Sequence, residues 1–239
     1  MASKGVETVT VVAWSKVRLV VFDLDGTLYD QPPLRRAMAL ELAKHSLRRR
    51  SLRTVETLRA YRRIRELLGR VQGDDFTNEQ FRLTARRCGC SEGEVRALVE
   101  EWIEHRPLAH LPRYKARGID SLFSALRATG RRIAVWSDYP VIDKLAALGL
   151  KADHVIWSGD QGVGRLKPDP TGLLALLEEA GITAEETLVI GDRMDRDAAG
   201  AAAIGVPALI RSAHGGGKAI FRRFDDPPFA PILAEARHA

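Results

Sequence analysis

Val17-Arg18-Leu19-Val20-Val21-Phe22-Asp23-Leu24-Asp25-Gly26-Thr27 is the stretch from which the fold can be read. Residues 17–22 are nearly all apolar and too few for a helix, which predicts a strand buried on both faces, as in a parallel sheet. Residues two apart on an extended chain point the same way, so Asp23 and Asp25 face one site, and Gly26 permits the tight turn after them. Two close carboxylates repel each other unless a cation or a shared proton intervenes. The pair therefore predicts a metal, or a nucleophile beside a general acid.

Outward from this strand the pattern divides in two. Between Pro32 and Arg106 apolar residues recur at helical spacing among Leu, Arg, Glu and Ala, predicting helices over 34–47, 52–68, 78–87 and 92–105 and no strand. Pro107 and Pro112 mark the return. From Ile119 onward helices (121–128, 141–148, 170–180, 196–204) alternate with strands (132–136, 154–157, 187–190, 207–210). Strict alternation calls for a parallel sheet covered by helices on both faces, with right-handed crossovers. The expected fold is α/β, a Rossmann-like core formed by 1–30 and 113–239 with an inserted all-helical cap over 31–112. The tail from Gly215, with three consecutive glycines, reads as turn-rich and receives no function.

Composition supports one core and one accessory unit. The chain has 239 residues, 45% hydrophobic and 28% charged, an ordinary globular balance that excludes disorder and fibrous repeats. No apolar run reaches the roughly 20 residues needed to span a bilayer, and residues 1–16 lack the features of a signal peptide. The expectation is a cytoplasmic protein with no membrane partner. Two cysteines, Cys88 and Cys90, supply neither a disulfide framework nor a four-ligand zinc site. The six histidines are scattered without ligand spacing. Of the net charge of +6, much falls on Arg48, Arg49, Arg50, Arg53, Arg59, Arg62, Arg63, Arg65 and Arg70. Aromatic residues do not interleave with these arginines, so a solvated helix face is the reading favoured over a nucleic-acid surface.

Ligands of doubly wound sheets bind beyond the carboxyl ends of the strands. Four polar groups of residues stand there. Besides Asp23-Leu24-Asp25-Gly26-Thr27 these are Ser137-Asp138, where a hydroxyl and loop amides can meet an anion; Lys167-Pro168-Asp169-Pro170, a cation ahead of a helix; and Gly191-Asp192-Arg193-Met194-Asp195-Arg196-Asp197, with further carboxylates. Each alone has an ordinary structural explanation as a turn or cap. Together, in order and each at a strand end, they offer hard oxygen ligands suited to Mg2+ and a cationic and hydroxyl clamp for phosphate.

On these residues the sequence resembles the haloacid dehalogenase superfamily of hydrolases. Phe22 to Leu28 is similar to its first motif, Ser137 to the second, Lys167 to the third, and Gly191-Asp192 with Asp197 to the fourth. Helices inserted after the first motif are similar to the subfamily whose cap selects the substrate. The resemblance implies a Mg2+-dependent phosphatase in which Asp23 becomes an aspartyl phosphate and Asp25 protonates the leaving oxygen and then activates water. It implies a metal held by Asp23, the backbone carbonyl of Asp25 and Asp192, with Asp197 in contact or one shell behind. Ser137 and Lys167 would bind phosphate, while Thr27 and Asp138 organise the loops around it. Asp195 is read as a helix cap and Arg193 as surface.

Alternatives within the superfamily are a phosphomutase, which shares all four motifs, and a dehalogenase, for which Asp25 and Asp192 would be surplus. A nucleic-acid-linked phosphatase using the Arg-rich cap is a further alternative, and nucleic acid is the partner less expected. The expected substrate is a small phosphorylated metabolite. Fold kinship alone does not identify it.

Overall fold

The computed structural model describes residues 12–71, 76–212 and 220–239. Six parallel strands form one sheet in the order β3-β2-β1-β4-β5-β6, from β1 (Leu19–Phe22), β2 (Arg132–Ser137), β3 (His154–Trp157), β4 (Thr187–Gly191), β5 (Ala208–Arg211) and β6 (Ile220–Phe221). The α/β expectation, a parallel Rossmann-like sheet with helices, is met. All four residues of β1 are buried and serve two layers, because successive side chains point to opposite faces. Leu19 and Val21 join Leu173 and Leu176 of α7 (Thr171–Ala180). Val20 and Phe22 join Leu122 and Phe123 of α5 (Ile119–Ala128) on the other face, where the Phe22 and Phe123 rings lie 5.0 Å apart.

Strand β1 pairs with β2 on one side and β4 on the other, so the strand order reverses direction beside it. The pairing aligns Phe22 with both Val135 and Ile190. That register brings Asp23, Ser137 and Gly191-Asp192 to one edge of the sheet, at the switch point where doubly wound sheets bind ligands.

After β1 the chain enters α1 (Gln31–Arg49), α2 (Arg53–Val71), α3 (Phe76–Cys88) and α4 (Glu92–Val99). Pro32 and Pro33 suit the first turn of α1, where no amide hydrogen is needed. Ser91 and Glu94 close a capping box on α4. The helix expected to 105 changes character at its end: a π-helical turn, Glu100–His105, is followed by a 3₁₀ segment, Arg106–Tyr114. Pro107 has no amide hydrogen to continue the α ladder, so the hydrogen-bond spacing widens before it and tightens after it. The outgoing and returning chains meet in a short antiparallel bridge between Tyr29 and Lys115, where Asp30 N donates to Tyr114 O (2.8 Å) and Ala116 N to Leu28 O (2.9 Å).

Two corrections concern the second half. The helix expected over 196–204 is a π turn, Met194–Ala198, followed by a short α8 (Ala199–Ala202). The tail is more than turns: Phe221, Phe224, Phe229 and Ile232 are buried against Phe22 and α5, and α9 (Ala230–Glu235) closes that layer. Its glycine run, 215–217, lies outside the described residues. No described helix is long and apolar enough to cross a membrane.

Candidate active site

Asp23 follows the last residue of β1, and its amide donates to Ile190 O at 2.8 Å, which fixes the backbone before the loop begins. Its carboxylate is held at both oxygens: Lys167 Nζ lies 2.8 Å from Oδ1 and Thr27 Oγ1 lies 3.0 Å from Oδ2. Lys167 Nζ also donates to Asp197 Oδ1 at 2.7 Å. Burial opposes the charge of Lys167, but Asp197 and Asp23 outweigh it and hold the ammonium above its ordinary range. Asp23 shows the opposite balance: burial, reinforced by Asp197 and Asp192, outweighs Lys167 and raises its carboxyl well above the usual range. One buried ammonium does not neutralise this set of carboxylates.

Asp192 is the member left over. Its carboxylate accepts no hydrogen bond from any described residue, and burial together with Asp197 pushes its pKa up to about 6. Oxygen atoms of Asp23, Asp192 and Asp197 lie within 4.8 Å of one another. Local sequence explains how they come so close. Gly26 sits at φ +107°, and a Cβ there would fall 2.2 Å from Asp192 Oδ2; a Cβ on Gly191 would fall 2.3 Å from the Asp197 side chain. Gly26 is required both by its backbone conformation and by close approach, and Gly191 by close approach alone. A cluster of hard carboxylate oxygens with one unpaired member fits a divalent cation such as Mg2+. Asp197 has little capacity to spare, because its Oδ2 accepts the amides of Asp192 (3.1 Å) and Arg193 (3.0 Å) while Oδ1 accepts Lys167.

Asp25 faces the same cleft but has a different partner. Lys144 Nζ, on α6 (Ile142–Leu148), donates to both of its oxygens at 2.7 and 2.8 Å, and Tyr29 Oη donates to Oδ1. Burial alone would raise the Asp25 carboxyl; the Lys144 ammonium and the Tyr29 hydroxyl bring it below the usual range. Its carboxylate stands outside the Asp23, Asp192 and Asp197 cluster.

Ser137 is buried at the end of β2, and its Oγ accepts Tyr139 N at 3.1 Å, so its own proton is left to donate. Asp138, expected to organise the loops around the phosphate, has both carboxylate oxygens engaged by the protein: Ser158 Oγ (2.8 Å) and Lys167 N (3.0 Å) on Oδ1, and Arg196 (2.9 Å) on Oδ2. It ties three loops together, and an acceptor of this kind would repel a phosphate. The Lys167-Pro168 peptide bond is cis. Asp195 does not cap a helix: it pairs with Arg193 at 2.7 Å, and Arg193 also reaches Glu66 of α2 at 3.3 Å.

A cavity of about 1160 Å³ opens over this edge of the sheet, walled by Asp23, Asp25, Ser137 and Lys167 and by side chains of α1 and α2. The arginine-rich segment is not the single solvated face expected of it. Arg65 is buried, donates to Asp138 O and lies 3.9 Å from the Tyr139 ring centroid. Arg53 pairs with Glu94, and Arg50, Arg59 and Arg62 line the cavity.

The family model for haloacid dehalogenase-like hydrolases matches residues 17–205 of this sequence. The chain belongs to the haloacid dehalogenase-like hydrolase family. Among curated proteins this hydrolase is 31% identical over 202 residues to a phosphoglycolate phosphatase of Rhodospirillum rubrum, covering 82% of its own length and 79% of the relative. It is 29% identical over 202 residues to phosphoglycolate phosphatase 1 of Pseudomonas aeruginosa, covering 80% and 69%. Its fold is similar to that of 2-haloacid dehalogenase from Pseudomonas syringae (TM-score 0.61, 21% identity, 93% of this chain and 100% of that one). It is equally similar to β-phosphoglucomutase from Clostridium difficile (TM-score 0.60, 17% identity, 93% and 98%). The two scores are nearly equal, so backbone shape does not choose between these chemistries, and side chains must.

Within this hydrolase, sequence reasoning missed Lys144, Tyr29, Arg65 and Arg196. Arg196 bridges Asp138 and Glu66 (2.9 and 2.7 Å), so with Arg65 it fastens α2 to the loops on either side of Asp23. A signal for Arg65 existed. Leu58, Tyr61, Ile64 and Arg65 share one buried face of α2 at helical spacing.

Proposed function

We propose that this hydrolase is a Mg2+-dependent phosphatase that cleaves a small phosphomonoester through an aspartyl phosphate on Asp23. The observation that carries this reading is a buried carboxylate at the end of the central strand, oriented by Lys167 and Thr27 and standing beside an unpaired Asp192. Curated relatives named as phosphoglycolate phosphatases support it. So does the Asp25–Lys144 pair, which a dehalogenase, expelling halide, would not need.

In this mechanism an Asp23 oxygen attacks phosphorus and the bond to the ester oxygen breaks. Asp25 delivers a proton to that oxygen, drawn from Lys144 Nζ, which donates to both of its oxygens. Ionised Asp25 then takes a proton from water and returns it to Lys144 Nζ, while the water oxygen attacks phosphorus, releasing inorganic phosphate and restoring Asp23. Ser137 donates its hydroxyl proton to a phosphoryl oxygen, and Lys167 offsets negative charge on nucleophile and phosphate. Thr27, Asp138 and Asp197 hold these groups in place. Asp23, the backbone carbonyl of Asp25 and Asp192 would hold Mg2+, which as a Lewis acid withdraws charge from the phosphoryl group. Residues 31–112 act as a cap over a core formed by the rest of the chain, and Arg65 and Glu66 dock the one on the other.

Hydrolysis of p-nitrophenyl phosphate by the purified protein tests this reading. Turnover should fall to background in excess EDTA and return when Mg2+ is restored, because Asp23 and Asp192 otherwise face an anionic substrate without a cation between them. Full turnover in EDTA would overturn it.

A further inference from the structure

The cavity above Asp23 is large for the two-carbon acid in the relatives' names. At about 1160 Å³ it exceeds the ~300–1,000 Å³ typical of sites for drug-sized ligands. Its wall is continuous from Asp23, Ser137 and Lys167 outward between α1 and α2, and that outer wall carries an apolar strip among arginines and other polar residues. Leu34, Met38, Leu58, Trp102 and Leu111 form it, all buried in the protein yet bordering this space. The strip continues to the outer rim, where Leu47 and Leu52 line the cavity while 81% and 63% exposed. Apolar side chains so exposed at the mouth of a cleft mark a surface that something apolar covers. Arg35, Arg59 and Arg62 also line the cavity, and none pairs with a carboxylate of any described residue, so the entrance attracts anions.

We propose that the substrate is an amphiphilic phosphomonoester: its phosphate sits at Asp23, Ser137 and Lys167, and its alcohol portion is an apolar chain or ring system several carbons long, lying between α1 and α2. This rests on the phosphatase reading above and deepens it. The occupant is assigned to substrate, and not to a partner protein, because the apolar wall is continuous with the nucleophile. Hydrolysis yields the apolar alcohol and inorganic phosphate, water supplying the oxygen added to phosphorus and the protons. Phosphoglycolate, charged at both ends, offers no apolar surface to Leu47 and Leu52 at the rim.

The test is a series of ethyl, butyl, hexyl and octyl phosphate, assayed with Mg2+ beside phosphoglycolate and p-nitrophenyl phosphate. The alkyl leaving groups are chemically alike, so differences in kcat/KM report binding of the chain. A fully buried methylene is worth roughly a fourfold gain, and about twofold per methylene is expected in a cleft open at one end. Ala43→Trp, which places an indole into the cavity from an exposed position on α1, should lower the octyl-to-ethyl ratio at least about tenfold. A flat series with turnover of p-nitrophenyl phosphate, or a higher kcat/KM for phosphoglycolate than for octyl phosphate, would overturn the proposal and leave the phosphatase reading standing. No turnover of any ester, p-nitrophenyl phosphate included, would overturn both.

Discussion

Asp23→Asn is expected to lower turnover roughly 10⁴-fold or more, the scale on which loss of a covalent nucleophile is felt, while leaving the protein at least as stable. Asparagine has the shape of aspartate, so Thr27 and Lys167 keep a partner there. It removes one negative charge from a buried cluster in which Asp197 and Asp192 already raise the Asp23 carboxyl. Relief of that repulsion should leave the thermal midpoint unchanged or a few degrees higher, as when a strained functional group is neutralised. Activity assays and thermal denaturation on one preparation measure both effects. Near-normal turnover would remove Asp23 as nucleophile, and a large drop in midpoint would mean that its charge holds the fold together.

Lys167→Met should have the opposite signature. The ammonium is the only cation bonded to Asp23 and Asp197 among the described residues, and its side chain is 2% exposed. Methionine retains most of the apolar stem near Trp136, but leaves buried carboxylates facing one another without compensation. Breaking a buried pair in this way costs about 3–5 kcal/mol, which lowers the midpoint by about 10 °C in a chain of this size. Mg2+ should recover more stability in the variant than in the parent, because a cation bound at Asp23 and Asp192 then relieves more repulsion. Thermal denaturation with and without Mg2+ reads this. A midpoint within 2 °C of the parent would show that Asp23 and Asp197 are not both ionised beside Lys167.

The sheet was legible because its signals are local. Four apolar residues of β1 followed by Asp23-Leu24-Asp25-Gly26 specify a buried strand and a turn with no reference to the rest of the chain. Asp192 was legible for the same reason, standing just past β4, and Lys167 because Pro168 and Pro170 mark the approach to α7. Lys144 was not: it lies within an ordinary amphipathic helix, and only the packing of α6 against the cleft aims it at Asp25, 119 residues away. Arg65 was hidden in a run of arginines whose separate fates depend on helix phase. The tail was misread because its run of three glycines and its Asp-Asp-Pro-Pro read as turn signals, although Phe221, Phe224 and Phe229 place three of the chain's seven phenylalanines within nine residues. That density of aromatic area is a core signal and outweighs the turn residues around it.

The central claim is that phosphate passes through Asp23, and Asp25→Asn allows it to be caught there. The substitution leaves the attacking carboxylate and the Asp25 backbone in place, and removes the group that would activate water. p-Nitrophenolate is a good leaving group that hardly needs a proton, so the first step should outlast the second. The expected result is a burst of p-nitrophenol followed by a stall, with mass spectrometry finding the phosphate on the peptide that carries Asp23. Phosphate on any other residue, or steady turnover of Asp25→Asn at the parent rate, would contradict it.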